Sequence, residues 1–332
     1  MQRICIAVLL IVLSLNGNAY GRAATEAEDI PTAVVKIRSI VPKEASSASS
    51  LGTEREGNGV VIDAEGTVLT IGYLVREASA IEVTGPGGES VSATLIGYDH
   101  STGFGLLRTE KLLNVKPIKL GQSVTVKEGD PILVVGYGGR QEVLAAQVIS
   151  RKEFAGYWEY LLEEAIYTAP VFANFSGAAL INAKGQLVGI GSLFTQLLIP
   201  GYGSLPCNVF VPIDLINPIL EDLKKEGRSL KPPRPWLGIN AQEAHGRIFI
   251  TRVTAKGPAE QAGLRPGDIV LTVDGKEVND LADFYRKIWA VGAAGVEVPL
   301  GILQGIKLRD IKVHSADRNQ PLKPKRGKGI EL

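Results

Sequence analysis

The sequence predicts two folded domains, the first all-β and of barrel or sandwich type, the second smaller and α+β. Three observations carry this. Short runs rich in Val, Ile and Leu recur between Val34 and Val211, with turn pairs between them. A stretch with prolines at 232, 233 and 235 follows, and it suits neither strand nor helix. Strand and helix patterns then mix over residues 236–318. A chain of 332 residues is long for one domain and sufficient for two.

In chain order, the first segment reads as an export signal. Arg3 precedes residues 4–15, which are apolar except for Ser14, and small and polar residues follow. Cleavage after Ala19 or after Ala23 fits the spacing of small residues, so residues 1–23 are assigned to a signal peptide. A retained anchor is the alternative, but the apolar run is nearer ~12 residues than the ~20 of a spanning helix. Cys5 lies in this segment, which leaves Cys207 as the lone thiol of the exported chain. A formal net charge of +1 provides no basic face for nucleic acid or an anionic membrane.

The first domain is placed at residues 30–228. Its strand candidates are 34–37, 59–63, 68–71, 81–83, 91–96, 104–107, 132–136, 179–181, 187–190 and 209–211. Turns are marked by Glu65-Gly66, Pro86-Gly87-Gly88, Gly129-Asp130-Pro131 and Lys184-Gly185. A closing helix is expected with Asn217 as its cap, Pro218 in its first turn, Ile219, Leu220 and Leu223 on one face, and Gly227 as its stop. Residues 229–235 form a semi-rigid linker. The second domain has strands over 248–253 and 269–273, a turn at Asp274-Gly275 and a helix near 281–290. Residues 319–332 read as a basic, solvated tail.

Several strings give this outline a family likeness. Gly57-Asn58-Gly59-Val60-Val61-Ile62-Asp63 with Val68-Leu69-Thr70, then Leu95-Ile96-Gly97-Tyr98-Asp99-His100-Ser101-Thr102, then Ser176-Gly177 with Gly185-Gln186-Leu187-Val188-Gly189-Ile190, fall in the order of HtrA (Deg) proteases. Gly257-Pro258-Ala259-Glu260-Gln261-Ala262-Gly263-Leu264-Arg265-Pro266-Gly267-Asp268 resembles the most recognisable string of their PDZ domains. The resemblance implies an all-β chymotrypsin-like double β-barrel followed by a small α+β PDZ domain. It also implies a serine nucleophile with a histidine base and an orienting aspartate.

The residues at those three positions disagree with that chemistry. A serine hydroxyl needs a base within hydrogen-bond reach and a third group to orient the base. The resemblance places the nucleophile at Ser176, the base at Tyr73 and the acid at Gly103. A phenol with a pKa of about 10 is protonated at pH 7, and glycine has no side chain. The usual Gly-Asn-Ser-Gly-Gly-Pro is here Asn174-Phe175-Ser176-Gly177-Ala178-Ala179, which alters the turn of the oxyanion hole. The histidines are His100, His245 and His314, and of these only His100 lies in the first domain. Rescue by His100, or by a lysine beside Ser176, is the alternative to a vestigial serine.

The resemblance also implies a peptide groove in the second domain. Trp236-Leu237-Gly238-Ile239 is similar to the loop whose N–H groups hold a peptide's C-terminal carboxylate. Phe284 and Ile288, four apart on a helix, either line that groove or belong to the core. The chain's own end, Ile330-Glu331-Leu332, is a candidate for self-docking.

The expected function is therefore that of an exported HtrA-like pseudoprotease that binds protein C-termini or extended peptides. An active HtrA-type protease is a candidate partner, and the resemblance implies a homo-trimer. The alternative is an active serine endopeptidase of protein quality control with an unconventional base for Ser176. A chaperone using the barrel cleft is a third reading. No cofactor or metal is expected.

Overall fold

The computed structural model describes residues 30–199 and 203–320. The expected signal segment and the Ile330-Glu331-Leu332 terminus lie outside the described residues.

Twelve strands form two closed antiparallel barrels. The first contains β1 (Val34–Ile40), β2 (Glu54–Val61), β3 (Thr67–Ile71), β4 (Ala80–Thr84), β5 (Ser90–Tyr98) and β6 (Phe104–Thr109), closed in the order β1-β2-β3-β6-β5-β4. The second contains β7 (Pro131–Val135), β8 (Val143–Gly156), β9 (Tyr160–Ala169), β10 (Ala179–Ile181), β11 (Leu187–Ile199) and β12 (Gly203–Pro212), closed in the order β10-β11-β12-β9-β8-β7. The Val/Ile/Leu runs close the barrels because their side chains fill the interiors: Val34, Val35, Ile37, Leu69, Phe104, Leu106 and Leu107 are all buried. Each such side chain contributes about 1.5–3 kcal/mol relative to exposure.

Two strands, β8 and β9, have no counterpart among the runs read from sequence. They form a long hairpin whose tip is Tyr157-Trp158-Glu159. Its residues mix apolar side chains with Arg151, Lys152, Glu153, Glu163 and Glu164, and its tip has no Gly, Pro or Asn. Both signals that mark a strand and its turn are therefore missing.

The closing helix also differs from expectation. It spans Leu220–Glu226, with Ile219 rather than Asn217 at its N-cap. Ile219 N–H donates to Ile216 O at 3.0 Å, and the helical ladder begins only at Leu223 N–H to Ile219 O at 2.9 Å. Ile216 and Ile219 are buried. Their burial sets the start of the helix, and the capping preference of Asn217 is overridden.

The second domain is an antiparallel sheet of β13 (Ile239–Ala244), β14 (Arg247–Val253), β15 (Ile269–Val273), β17 (Glu297–Gln304) and β18 (Lys307–His314), with the short β16 (Lys276–Glu277) paired to β15. The Leu281–Ala290 helix covers it, and Asp280 caps that helix by accepting from Asp283 N–H at 2.7 Å. Phe284, Tyr285 and Ile288 bury into an apolar core with Leu237, Val273 and Leu300. The connecting stretch is tied to this domain, since Pro233 O accepts from Ala294 N–H at 2.8 Å and the Arg234 guanidinium lies 4.2 Å from the Trp289 ring.

Candidate functional site

The barrels meet where Tyr73 and Ser176 face each other. Tyr73 lies in a 3₁₀ turn, Gly72–Leu74, directly after β3, and Ser176 lies in the loop from β9 to β10. Tyr73 Oη is 2.7 Å from Ser176 Oγ and 2.7 Å from the Ser192 carbonyl oxygen. A phenol has one proton and a carbonyl only accepts. When Tyr73 donates to Ser192, the Ser176 hydroxyl is left donating to the phenol oxygen. Burial pushes the Tyr73 pKa up to about 12, against a smaller lowering by the Ser176 hydrogen bond. At neutral pH the phenol keeps its proton and cannot take that of serine.

The serine segment is held by the first barrel. Asn58, buried on β2, donates from its side-chain amide to the carbonyls of Asn174 at 2.6 Å and Ser176 at 3.0 Å. Its backbone N–H donates to Ser176 O at 2.7 Å, and its Oδ1 accepts from Tyr137 N–H at 2.8 Å. Gly177 has φ 75° and donates to Gly191 O at 2.8 Å, and Ala178 N–H donates to Phe175 O at 3.0 Å. These bonds give the Ser-Gly pair a structural reason to be where it is. Asn58 was visible in the sequence only as part of a hairpin string, because the partners of its side chain lie 79 to 118 residues away along the chain.

Gly103 has φ 80°, in the left-handed region. A Cβ there would stand 3.4 Å from Tyr160 Oη, which donates to Thr102 O at 2.7 Å. The acid of this loop, Asp99, is turned onto the loop itself, accepting from Thr102 N–H at 2.7 Å and Thr102 Oγ1 at 2.8 Å.

His100 packs edge-on against the Tyr98 ring, with centroids 4.5 Å apart, and its buried Nδ1 has no hydrogen-bond partner. Burial, then Arg318 and Arg76, lowers its pKa to about 2. An imidazole so weakly basic takes up no proton at neutral pH. Its folded pKa lies below the ~6.5 of the unfolded chain, so protons favour unfolding. Acidification between about pH 6.5 and pH 2 is expected to erode stability by up to about 1.4 kcal/mol per pH unit from this residue. Denaturation of wild type and His100→Gln across that window checks this: the variant loses stability less steeply on acidification, and parallel curves contradict it.

In the second domain, the loop expected to hold a peptide carboxylate already holds one. Leu237 N–H donates to Glu159 Oε2 at 2.9 Å, and Gly238 and Ile239 N–H donate to Glu159 Oε1 at 2.7 and 2.9 Å. Trp236 sits just before this cradle, exchanging backbone hydrogen bonds with Ala316 at 3.1 and 2.9 Å. Phe284 and Ile288 are both 0% exposed, buried in one apolar cluster with Leu161 of the β8–β9 hairpin. Glu159 stood outside the candidate residues of the sequence, lying at the tip of the hairpin that the sequence pattern does not reveal.

Residues 57–190 match the trypsin-like peptidase domain, and residues 235–314 match the PDZ domain. By fold and domain order, the chain is of the HtrA (Deg) type. Curated relatives of this HtrA-type chain include a probable periplasmic serine endoprotease, DegP-like, of Buchnera aphidicola, 27% identical over 80% of this chain and 58% of the relative. A probable periplasmic serine protease, do/HhoA-like, of Haemophilus influenzae is 29% identical over 81% of this chain and 60% of its own length. The periplasmic pH-dependent serine endoprotease DegQ of Escherichia coli is 28% identical over 77% and 58%. The chain thus spans less than two thirds of these relatives. Among solved structures, the HtrA-type protease AlgW with decapeptide superposes with a TM-score of 0.55 over 90% of this chain and 99% of that chain, at 23% identity. The serine endoprotease from Yersinia pestis gives 0.52 over 89% and 97%, also at 23%. These structural likenesses concern the fold. Among the described residues, no helix is long and apolar enough to cross a membrane.

Proposed function

We propose that this chain is an exported HtrA-type pseudoprotease that works by binding, with its PDZ domain as the receptor for protein C-termini or extended peptides. The observation that carries the loss of catalysis is the partner of Ser176 Oγ: a phenol whose pKa is raised to about 12, where acyl transfer needs a base. Gly103, without a side chain, and Asp99, bonded to its own loop, support the same reading. The names of the relatives, all serine proteases, favour the alternative, an endopeptidase of periplasmic quality control with an unconventional base for Ser176.

Export is supported by the periplasmic relatives and by the apolar segment at residues 4–15. The division into a protease-fold domain over 30–228, a linker over 229–235 and a PDZ domain over 236–318 belongs to the same proposal. So do homo-trimer formation and mixed assembly with an active HtrA-type protease.

Turnover of unfolded casein by wild type and by Ser176→Ala tests the central element. Equal rates, at the background of buffer alone, are expected. A wild-type rate that disappears in Ser176→Ala moves the assignment to the endopeptidase.

A further inference from the structure

The tip of the β8–β9 hairpin does to the second domain what a bound peptide does to a PDZ groove. Three consecutive N–H groups close on one carboxylate, that of Glu159, which is 5% exposed. Burial pushes the Glu159 carboxyl up, against a lowering by Arg318 and by these three N–H groups, and buried N–H groups left unpaired are costly. The strand after the loop is engaged as well, since Ala241 N–H donates to Tyr157 O at 2.8 Å, as β13 would to an added strand. The helix on the other side takes part through Tyr285, whose Oη donates to Gly156 O at 2.8 Å and accepts from Glu159 N–H at 3.3 Å.

The rest of the hairpin is fastened in the same direction. Leu161 of β9 is buried in the apolar cluster of the second domain with Phe284, Tyr285 and Ile288, and Ala155 of β8 packs against it. Arg286, one residue past Tyr285, bridges Glu153 on β8, at 2.5 Å, and Glu163 on β9. Arg318 Nη1 donates to Glu159 O at 3.4 Å. Glu159 itself has φ 55°, a left-handed conformation that a glutamate adopts at a cost and that persists only where its surroundings over-determine it.

We propose that Glu159 is the resident ligand of the carboxylate loop of this chain, and that a peptide C-terminus binds the second domain only by displacing the β8–β9 hairpin. The second half rests on the peptide-binding reading above, and the first does not. One loop cannot hold two carboxylates on the same three N–H groups. The apparent affinity for peptide is therefore the intrinsic affinity multiplied by the fraction of molecules in which the hairpin is undocked.

The test uses the full chain and two variants. Glu159→Gly removes the carboxylate and suits the left-handed backbone, and Glu159→Gln keeps the shape and removes the charge. Amide hydrogen exchange over residues 236–241 is read with no peptide present. Binding is read by anisotropy with labelled decapeptides ending in free Leu, Ile, Val or Phe, and with their C-terminal amides. Wild type is expected to protect residues 237–239, Glu159→Gly to lose that protection, and Glu159→Gln, which keeps one acceptor oxygen, to lose part of it. Peptides with a free carboxylate are expected to bind Glu159→Gly about tenfold or more tighter than wild type, Glu159→Gln in between, and the amides weakly to all three. Equal exchange in wild type and both variants, or equal affinity of one peptide for all three, overturns the proposal. Lost protection with no peptide bound by any protein upholds Glu159 as the ligand and overturns the peptide-receptor reading. If Glu159→Gly fails to fold, Glu159→Gln decides alone.

Discussion

Gly177→Ala is expected to destabilise the first domain by about 3 kcal/mol or more, from two separable causes. At φ 75° an L side chain costs about 1–2 kcal/mol by itself. The added Cβ would also stand 1.9 Å from Asn58 O, a backbone atom with its own place in β2, and forced overpacking costs about 1–3 kcal/mol. For a domain of this size the sum corresponds to a fall in Tm of about 6–12 °C. Gly129→Ala is the control. Its φ is 88° and a Cβ there meets nothing within 4 Å, so only the backbone cost of about 1–2 kcal/mol applies. Thermal unfolding of the two variants side by side checks this. If Gly177→Ala is no worse than Gly129→Ala, the serine segment is not clamped against β2 as described.

Tyr73→His is expected to restore no useful proteolysis, although it returns an imidazole to the position facing Ser176. An imidazole acts as a general base only when a partner fixes its tautomer and stabilises its charged form, and a trypsin-fold protease without that partner loses about 10⁴-fold in kcat. Here the partner's position is Gly103, backed by Tyr160, while Asp99 is bonded to Thr102. Adding Gly103→Asp is not a simple remedy, since φ 80° costs aspartate about 1–2 kcal/mol and Tyr160 Oη stands 3.4 Å from the new Cβ. Casein turnover by Tyr73→His is expected to remain about 10⁴-fold below that of a triad-bearing relative assayed alongside. A rate within tenfold of that relative means another group orients the histidine.

Those two expectations differ in how far they could be read from the chain alone. The barrels are legible because their strands are dense in Val, Ile and Leu and because Gly, Pro and Asp mark the turns. Tyr73 and Gly103 are legible because each sits at a fixed distance from a recognisable string. What joins them to the rest is not. Ser192 accepts from Tyr73 across 119 residues of chain, and Asn58 reaches Ser176 across 118. No local pattern encodes such pairs. The largest omission is the β8–β9 hairpin. Its alternation is broken by charged residues on the solvent side and its tip is aromatic, so neither strand nor turn announces itself. Glu159 looks like one acidic residue among many until the fold sets it against Leu237, Gly238 and Ile239. For Phe284 and Ile288 the spacing places both on one helix face, but it does not reveal that Leu161 of the hairpin is buried with them.

The two halves of the molecule therefore tell one story about carboxylates and protons. In the first domain Ser176 is hydrogen-bonded to a buried phenol, and the second domain holds a carboxylate supplied by the first. Labelling with a serine-reactive phosphonate, read by intact-mass and peptide mass spectrometry, tests the central claim most directly. The phenol-bonded Ser176 is predicted to give no adduct under conditions that label a triad-bearing relative to completion, with wild type and Ser176→Ala identical. A stoichiometric adduct on Ser176 would contradict it, since it requires an activated hydroxyl that Tyr73 cannot provide.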